Sequence, residues 1–162
     1  MSSTAPRNRL VHRGTGRSCI VLRAETLSDQ VPVSIVEDAY VLVVASERSS
    51  IHFTELQARA WLKAGAAYVC VWGPAAGSVE EAFDYAAFLP ELGDPLPFTL
   101  MTTSHRGDGL EEALWFAFYN AAPPEDLLRT LSTVIVVVDS TELESVCVKW
   151  VQENTKLSLI HI

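Results

Sequence analysis

The sequence lacks the glycine-rich loops that hold nucleotide phosphates in many α/β proteins. No GxGxxG follows a predicted strand and no GxxxxGK[ST] is present, so the known dinucleotide and P-loop cradles are excluded. A GxSxG turn is also missing, which excludes a nucleophile elbow of the hydrolase type. Any function therefore has to come from residues outside these motifs.

Cysteine and histidine are scarce as well. The three cysteines have no CxxC spacing, and their odd number does not suggest a disulfide framework. His12, His52 and His105 lie too far apart to show metal-ligand spacing. We therefore expect neither a metal nor a cofactor, and we interpret Cys70 and Cys147 as small buried hydrophobic residues.

Long hydrophobic runs are absent too. No apolar run approaches the roughly 20 residues that a membrane-spanning helix needs, and the N-terminus does not show the pattern of a secretory signal. A chain of 162 residues has the usual size of one domain. We expect a cytoplasmic protein that makes no membrane contact.

Positive charge is scarce after residue 24. Five arginines precede the first acidic residue, Glu25. The rest of the chain, which we call the body, contains the other seven lysines and arginines and all twenty acidic residues, so its net charge is −13. Such a body argues against a nucleic-acid surface, which needs clustered lysine and arginine. We interpret residues 1–17 as a flexible basic arm; binding of nucleic acid through this arm is an alternative.

From residue 40 onward, buried-strand patterns alternate with helical ones. Strands are predicted at 40–45, 67–72, 98–102 and 133–138, and helices at 53–64, 78–88, 109–120 and 142–153. Ser78 and Glu81 have the spacing of a capping box. This alternation predicts a three-layer, doubly wound α/β fold of the flavodoxin or Rossmann type with a mostly parallel sheet. Two short N-terminal pieces, 19–23 and 31–36, are predicted as edge strands.

The domain is predicted to cover residues 18–156 as a single unit. The last six residues, 157–162, show no helical continuation and end on an apolar residue. These residues can be encoded by a transposase end sequence that DNA library preparation leaves on fragments. We interpret them as a non-native, adapter-encoded tail from metagenomic DNA; an ordinary edge strand is the alternative.

Polar side chains follow the predicted strands at their carboxyl ends, where open parallel sheets bind ligands. The candidate ligand-binding residues are Arg48, Trp72, Thr103, Arg106 and Asp139. If the protein is an enzyme, His105 is the acid–base candidate, Arg106 and Arg48 hold an anion, and Asp139 orients the imidazole. The alternative is that these loops are polar only because loops are exposed and cap helices.

The predicted helix at 109–120 is apolar on nearly all sides. A helix that covers one face of a sheet needs only an apolar stripe. Either the helix is enclosed within the chain, or part of it meets another chain. Trp115, Phe118 and Tyr119 are the interface candidates, because aromatic residues are typical interface anchors.

Several segments together resemble a known family. These are YVCVWG at 68–73, MTTSH at 101–105 and LEEALWF at 110–116. Over residues 60–140 the chain resembles a family of short bacterial proteins classed as a domain of unknown function. The resemblance supports the fold boundaries and implies no activity.

We expect a non-catalytic binding domain that acts through a protein partner or through self-association at the aromatic helix. The missing catalytic motifs, the acidic body and that helix are the grounds for this prediction. The alternative is a protein that binds a nucleotide or another anionic phosphate ligand at the carboxyl ends of the strands, with hydrolysis as a further activity.

Overall fold

The computed structural model describes residues 7–12, 16–24, 39–89, 91, 93–127 and 131–160, with backbone alone for 7–12 and 155–160. Six strands and four helices occur in these ranges. Their order is β1 (Arg7–His12), β2 (Arg17–Arg23), β3 (Tyr40–Ala45), α1 (Glu55–Lys63), β4 (Ala66–Trp72), α2 (Ala76–Phe88), β5 (Met101–His105), α3 (Leu110–Tyr119), β6 (Thr133–Val138) and α4 (Thr141–Ile160).

The strands form one sheet in the order β1-β2-β6-β3-β4-β5. From β2 to β5 all neighbours run parallel, and β1 pairs antiparallel with β2 at one edge. The central strands β3 and β6 are buried at every residue. Continuous burial follows from cover on both faces, because crossover helices lie above and below a parallel sheet.

The helices divide between the two faces of the sheet. On one face α1 and α2 pack through Trp61, Leu62 and Phe83. On the other face α3 and α4 pack through Leu114 and Trp150. The predicted three-layer α/β fold with a mostly parallel sheet is confirmed.

Among the predicted strands that the structure describes, β5 has the bounds that differ most from the prediction. It spans Met101–His105 and not 98–102, because its ladder with β4 begins at Tyr68 and ends at Trp72. Thr103 and His105 therefore lie inside a strand and not in the loop where we predicted them. The prediction followed the apolar pattern of 98–102, whereas the pairing with β4 decides which residues are in the strand.

The arm predicted at residues 1–17 contains structure. Arg7–His12 forms β1, and Arg17 begins β2, so the prediction of a flexible arm is wrong for these residues. β2 contains the predicted strand at 19–23, but it lies inside the sheet between β1 and β6, because β1 takes the edge. The other predicted strand, 31–36, lies outside the described residues.

Two helix ends also differ from the prediction. α2 begins at Ala76 with no side-chain cap, and the hydroxyl of Ser78 donates to the carbonyl of Ala75, so the predicted capping box is wrong. The backbone of α4 stays helical to Ile160, well past 153. Neither glycine nor proline occurs in residues 154–160, so no residue of that stretch forces the helix to end.

None of the helices in the described part of the chain is both long and apolar enough to cross a membrane. Across the same residues, no three His, Cys, Asp or Glu side chains are grouped so that they could hold a metal ion.

Candidate functional site

The carboxyl ends of β3 and β6 form the topological switch point of the sheet. The two strands are neighbours, yet the helix that follows β3 lies on one face and the helix that follows β6 lies on the other. The chain therefore leaves the two strand ends in opposite directions, the arrangement in which doubly wound proteins form a ligand-binding crevice.

A hydrogen-bonded group of three residues, the switch-point cluster, occupies this position: Ser46, Arg48 and Asp139. The Ser46 hydroxyl donates to Asp139 Oδ2 at 2.6 Å and accepts from the Arg48 amide at 3.1 Å. The Asp139 side chain is only 6% exposed, whereas Arg48, whose Nε lies 3.6 Å from Asp139 Oδ2, is 61% exposed. A buried carboxylate thus lies beside an exposed guanidinium at the switch point.

The turn after β4 packs closely against the switch-point cluster. Gly73 has φ 120° and its amide donates to the carbonyl of His105 at 3.4 Å. A Cβ at Gly73 would lie 3.1 Å from the carbonyl carbon of Ser46 and closer still to its oxygen. Only glycine fits here, because both the backbone angle and the contact exclude a side chain. The loops after β3, β4 and β5 are therefore held together at Gly73.

A second group of residues, the His105 cluster, lies on β5 and the turn after it: Thr103, His105 and Asp108. His105 Nδ1 lies 3.0 Å from Asp108 Oδ2, and Nε2 lies 3.0 Å from Thr103 Oγ1. A carboxylate only accepts hydrogen bonds, so Nδ1 is the donor. Hydroxyl, imidazole and carboxylate thus stand in the order of a hydrolytic triad.

The surroundings of His105 favour a structural role for this cluster. The side chain of His105 is 8% exposed, and the imidazole ring packs against the ring of Phe116 at a centroid distance of 5.2 Å. Both ring nitrogens already have partners within the chain. In a hydrolytic triad the imidazole takes its proton from the adjacent hydroxyl, here that of Thr103, and not directly from the substrate. A catalytic role for His105 through Thr103 stays a prediction.

The structure separates the predicted site residues. Arg48 and Asp139 lie together at the switch point, whereas Thr103 and His105 lie two strands away. Trp72 Nε1 donates to the carbonyl of Asp108 at 2.8 Å, which ties β4 to the His105 cluster. Arg106 is exposed and makes no hydrogen bond or ion pair with any described residue.

The aromatic residues of α3 divide between the core and the surface. Phe118 is 2% exposed and packs against Trp150 at 5.6 Å, so this candidate lies in the core and not at an accessible interface. Trp115 and Tyr119 are 48% and 43% exposed. Their rings stack on each other at a centroid distance of 5.4 Å. We call these two rings and the surface around them the α3 aromatic surface.

A model of the family DUF7684, a domain of unknown function, matches residues 19–154. The chain belongs to this family. No curated protein and no solved structure matches it. The DUF7684 domain thus includes all of the switch-point cluster, the His105 cluster and the α3 aromatic surface, and its family assignment brings no known activity to any of them.

Two members of these clusters were not among the predicted site residues of the DUF7684 domain. Ser46 directly follows β3 and Asp108 lies three residues after His105, so both were visible as polar loop residues in the sequence. Their roles depend on partners that only the fold supplies: Asp139 lies 93 positions after Ser46. The position of Ser46 at the end of a buried strand was the available signal.

Proposed function

We propose that this DUF7684 domain is a protein-binding domain whose α3 aromatic surface docks a basic partner. The observation that carries the proposal is the exposure of Trp115 and Tyr119 on a helix whose other large apolar side chains are directed to the core or half-buried. Trp and Tyr are enriched among the residues that dominate binding energy at interfaces.

The stacking of the two rings suits them to docking. Trp115 and Tyr119 lie one helical turn apart, and each ring restricts the other. Side chains that are already ordered lose less conformational entropy when a partner binds. Their amphipathic rings also tolerate water in the unbound state, because the indole N–H and the phenol O–H remain polar.

The charge around this surface defines the partner. Glu111 and Glu112 are exposed one turn before Trp115, and the body after residue 24 carries a net charge of −13. A partner with an apolar anchor and a basic rim complements this surface.

A second copy of the chain complements this surface poorly. Two-fold symmetric interfaces bring the same surface of both copies together, and α3 itself contains no lysine or arginine. Arg17, beside the end of α3, already donates hydrogen bonds from both terminal nitrogens to the carbonyls of Ala117 and Ala121.

Selection from a random peptide library displayed on phage tests this proposal without knowledge of the natural partner. We expect wild-type protein to select basic peptides with an aromatic or branched apolar anchor. Trp115→Ala should weaken their binding by about 30-fold, the size of an interface hot spot. The matched control is Tyr85→Ala on α2, because Tyr85 is 51% exposed on the opposite face of the sheet.

Two results would contradict the proposal. One is selection of peptides without positive charge, and the other is equal binding to the wild-type, Trp115→Ala and Tyr119→Ala proteins. Sedimentation equilibrium of the wild-type protein supplies a separate check. We expect a monomer, and a dimer that Trp115→Ala dissociates would replace the basic partner by a second copy.

The switch-point cluster supports a second candidate function, the binding of an anionic small molecule. The exposed guanidinium of Arg48 lies at the switch point, with its Nε 3.6 Å from the buried carboxylate of Asp139. α4 also begins beside Asp139, at Thr141, and helix N-termini attract anions. Nucleotides, dinucleotides and simple phosphates are the ligands that this arrangement suits.

A thermal-shift screen with those compounds tests the second candidate. A ligand at a hundredfold excess over its Kd stabilises the folded protein by about 2.7 kcal/mol, which corresponds to roughly 5–10 °C for a chain of this size. Arg48→Ala should remove the shift, whereas Lys149→Ala on the outer surface of α4 should leave it unchanged. No shift with any compound, or the same shift in Arg48→Ala, would count against this site.

A further inference from the structure

The amino ends of the strands border a cavity of about 640 Å³. It lies at the opposite end of the sheet from the switch-point cluster, since Ala39, Gly65 and Phe98 each precede a parallel strand. Its volume falls within the usual range for small-molecule sites, roughly 300–1,000 Å³. The apolar part of its lining includes Leu62, Leu96, Pro97, Phe98 and Leu127.

A buried arginine lines this cavity. Arg59 of α1 is 5% exposed, and its Nε has no hydrogen-bond partner. No carboxylate of the described residues forms an ion pair with it. Burial of a charge is costly unless the charge is paired. The cavity is therefore lined by a buried guanidinium that has no direct ion-pair partner among the described residues.

The other nitrogens of Arg59 have structural partners. Nη1 donates to the carbonyl of Ala86 in the last turn of α2 at 3.1 Å, and Nη2 donates to the carbonyl of Asp94. These bonds explain why the side chain is ordered and why α1 stays against α2. They satisfy neither the positive charge nor the Nε–H group.

A second cationic side chain, that of Lys63, lies at the same part of the cavity as Arg59. Lys63 lies one turn after Arg59 on α1 and also lines the cavity. The Lys63 ammonium lies 3.5 Å, and Arg59 Nη2 3.9 Å, from the point that a Cβ of Gly93 would occupy. Both cations therefore lie beside Gly93 at the border of the cavity, and a carboxylate in the cavity next to them would be attracted by both charges.

We propose that this cavity binds a small carboxylic acid with an apolar body, and that Arg59 and Lys63 hold its carboxylate. A single negative charge suits the cavity better than a phosphate dianion, because Asp94 and Asp126 also line it and would repel a second negative charge. The leucine, proline and phenylalanine side chains of the lining contact the apolar body. This site is independent of the α3 aromatic surface.

Titration of the full chain with benzoate, phenylacetate and indole-3-acetate tests the proposal, with the matching amides as controls for shape. We expect a saturable rise in Tm with at least one acid and none with its amide. A second measurement is the NMR ¹H–¹⁵N side-chain signal of Arg59 Nε–H, which is assigned by its loss in Arg59→Lys. It should move with the acid and stay in place with the amide.

Lys63→Met provides the matched mutational test, because Arg59 substitutions also remove the bonds to α2. We expect the variant to raise the Kd of the bound acid by about tenfold, the effect of losing one charge-assisted hydrogen bond. Lys149→Met, which removes the same charge from α4, should leave the Kd unchanged.

Three outcomes overturn the proposal: no acid gives a saturable shift, acids and amides act equally, or the Arg59 Nε–H signal does not respond to a bound acid. An unchanged Kd in Lys63→Met would remove Lys63 from the site.

Discussion

Substitution of Gly73 by alanine tests the close approach of the loops at the carboxyl end of the sheet. Gly73 has φ 120°, and the new Cβ would overlap the carbonyl of Ser46. A side chain at such a backbone angle costs about 1–3 kcal/mol. Displacement of packed atoms costs a further 1–3 kcal/mol or so. We expect Gly73→Ala to lower the free energy of unfolding by about 2–6 kcal/mol.

Gly77 supplies the matched control four residues later. It lies in α2, and a Cβ there would meet nothing within 4 Å. Alanine has a higher helix propensity than glycine, so Gly77→Ala should raise the free energy of unfolding by about 0.5–1 kcal/mol. The two variants make the same chemical change and should move stability in opposite directions.

Urea unfolding followed by far-UV circular dichroism measures both variants. The midpoint should fall for Gly73→Ala and rise for Gly77→Ala while the denaturant slope stays constant. A loss of less than about 1 kcal/mol in Gly73→Ala would refute the reasoning, because strain alone should cost that much. Displacement of Ser46 should also disturb its bond to Asp139, so Gly73→Ala tests the switch-point cluster as well.

Three further predictions concern reactivity, pH and packing. Burial raises the pKa of Cys70 and Cys147 to about 12 and also raises that of Cys19, so iodoacetamide at pH 8 should label none of them in the native protein and all three in urea. Hydrogen bonds from Thr99 lower the pKa of Asp126 in the folded protein. The carboxylate therefore stabilises the fold at a pH above its pKa in the unfolded chain, and this stabilisation is lost as the pH falls through its pKa in the folded protein. Asp126→Asn should therefore lower the urea midpoint at pH 7 but lose this effect at strongly acidic pH; a pH-independent difference would contradict the assignment. Phe118→Ala should cost about 3–5 kcal/mol in urea unfolding, whereas Phe88→Ala, at a side chain 80% exposed, should stay within about 0.5 kcal/mol; similar losses would contradict the burial assigned to Phe118.

The central elements were predictable because their burial leaves a strong local pattern. Tyr40–Ala45 and Thr133–Val138 are unbroken apolar runs, and the structure has both strands at those bounds. An edge strand leaves a weaker pattern, since in β5 only His105 is buried and the other four residues are exposed or half-buried. Its place is fixed by pairing with β4, which local sequence does not contain, and the error moved His105 from a strand into a loop.

The charged residues were harder to interpret, because their partners are distant in sequence. The sequence predicts Arg17 as part of a flexible arm, yet its two terminal nitrogens donate to the carbonyls of Ala117 and Ala121 at the end of α3. Arg59 lies in an ordinary helical pattern, and only the fold shows that it is buried beside a cavity. In both cases the deciding contact joins residues that are far apart along the chain.

The surface of α3 was only partly predictable. Its sequence is apolar on nearly all sides, so the pattern did not separate Phe118 from Trp115 and Tyr119. The separation depends on α4, because Trp150 packs against Phe118 and leaves the other two rings outside the core.

The position of β6 has a consequence for the order in which the chain can fold. This strand is the last of the six to be synthesised, yet it lies between β2 and β3 and joins the two parts of the sheet. Until residue 138 has left the ribosome, β1 and β2 have no parallel neighbour, and β3 has one unpaired side. Pairings over such long sequence separations form slowly, and unpaired strand edges favour aggregation. We therefore expect the sheet to close only after β6 has been synthesised, with chaperones needed most while the segment before β6 is complete and β6 itself is absent.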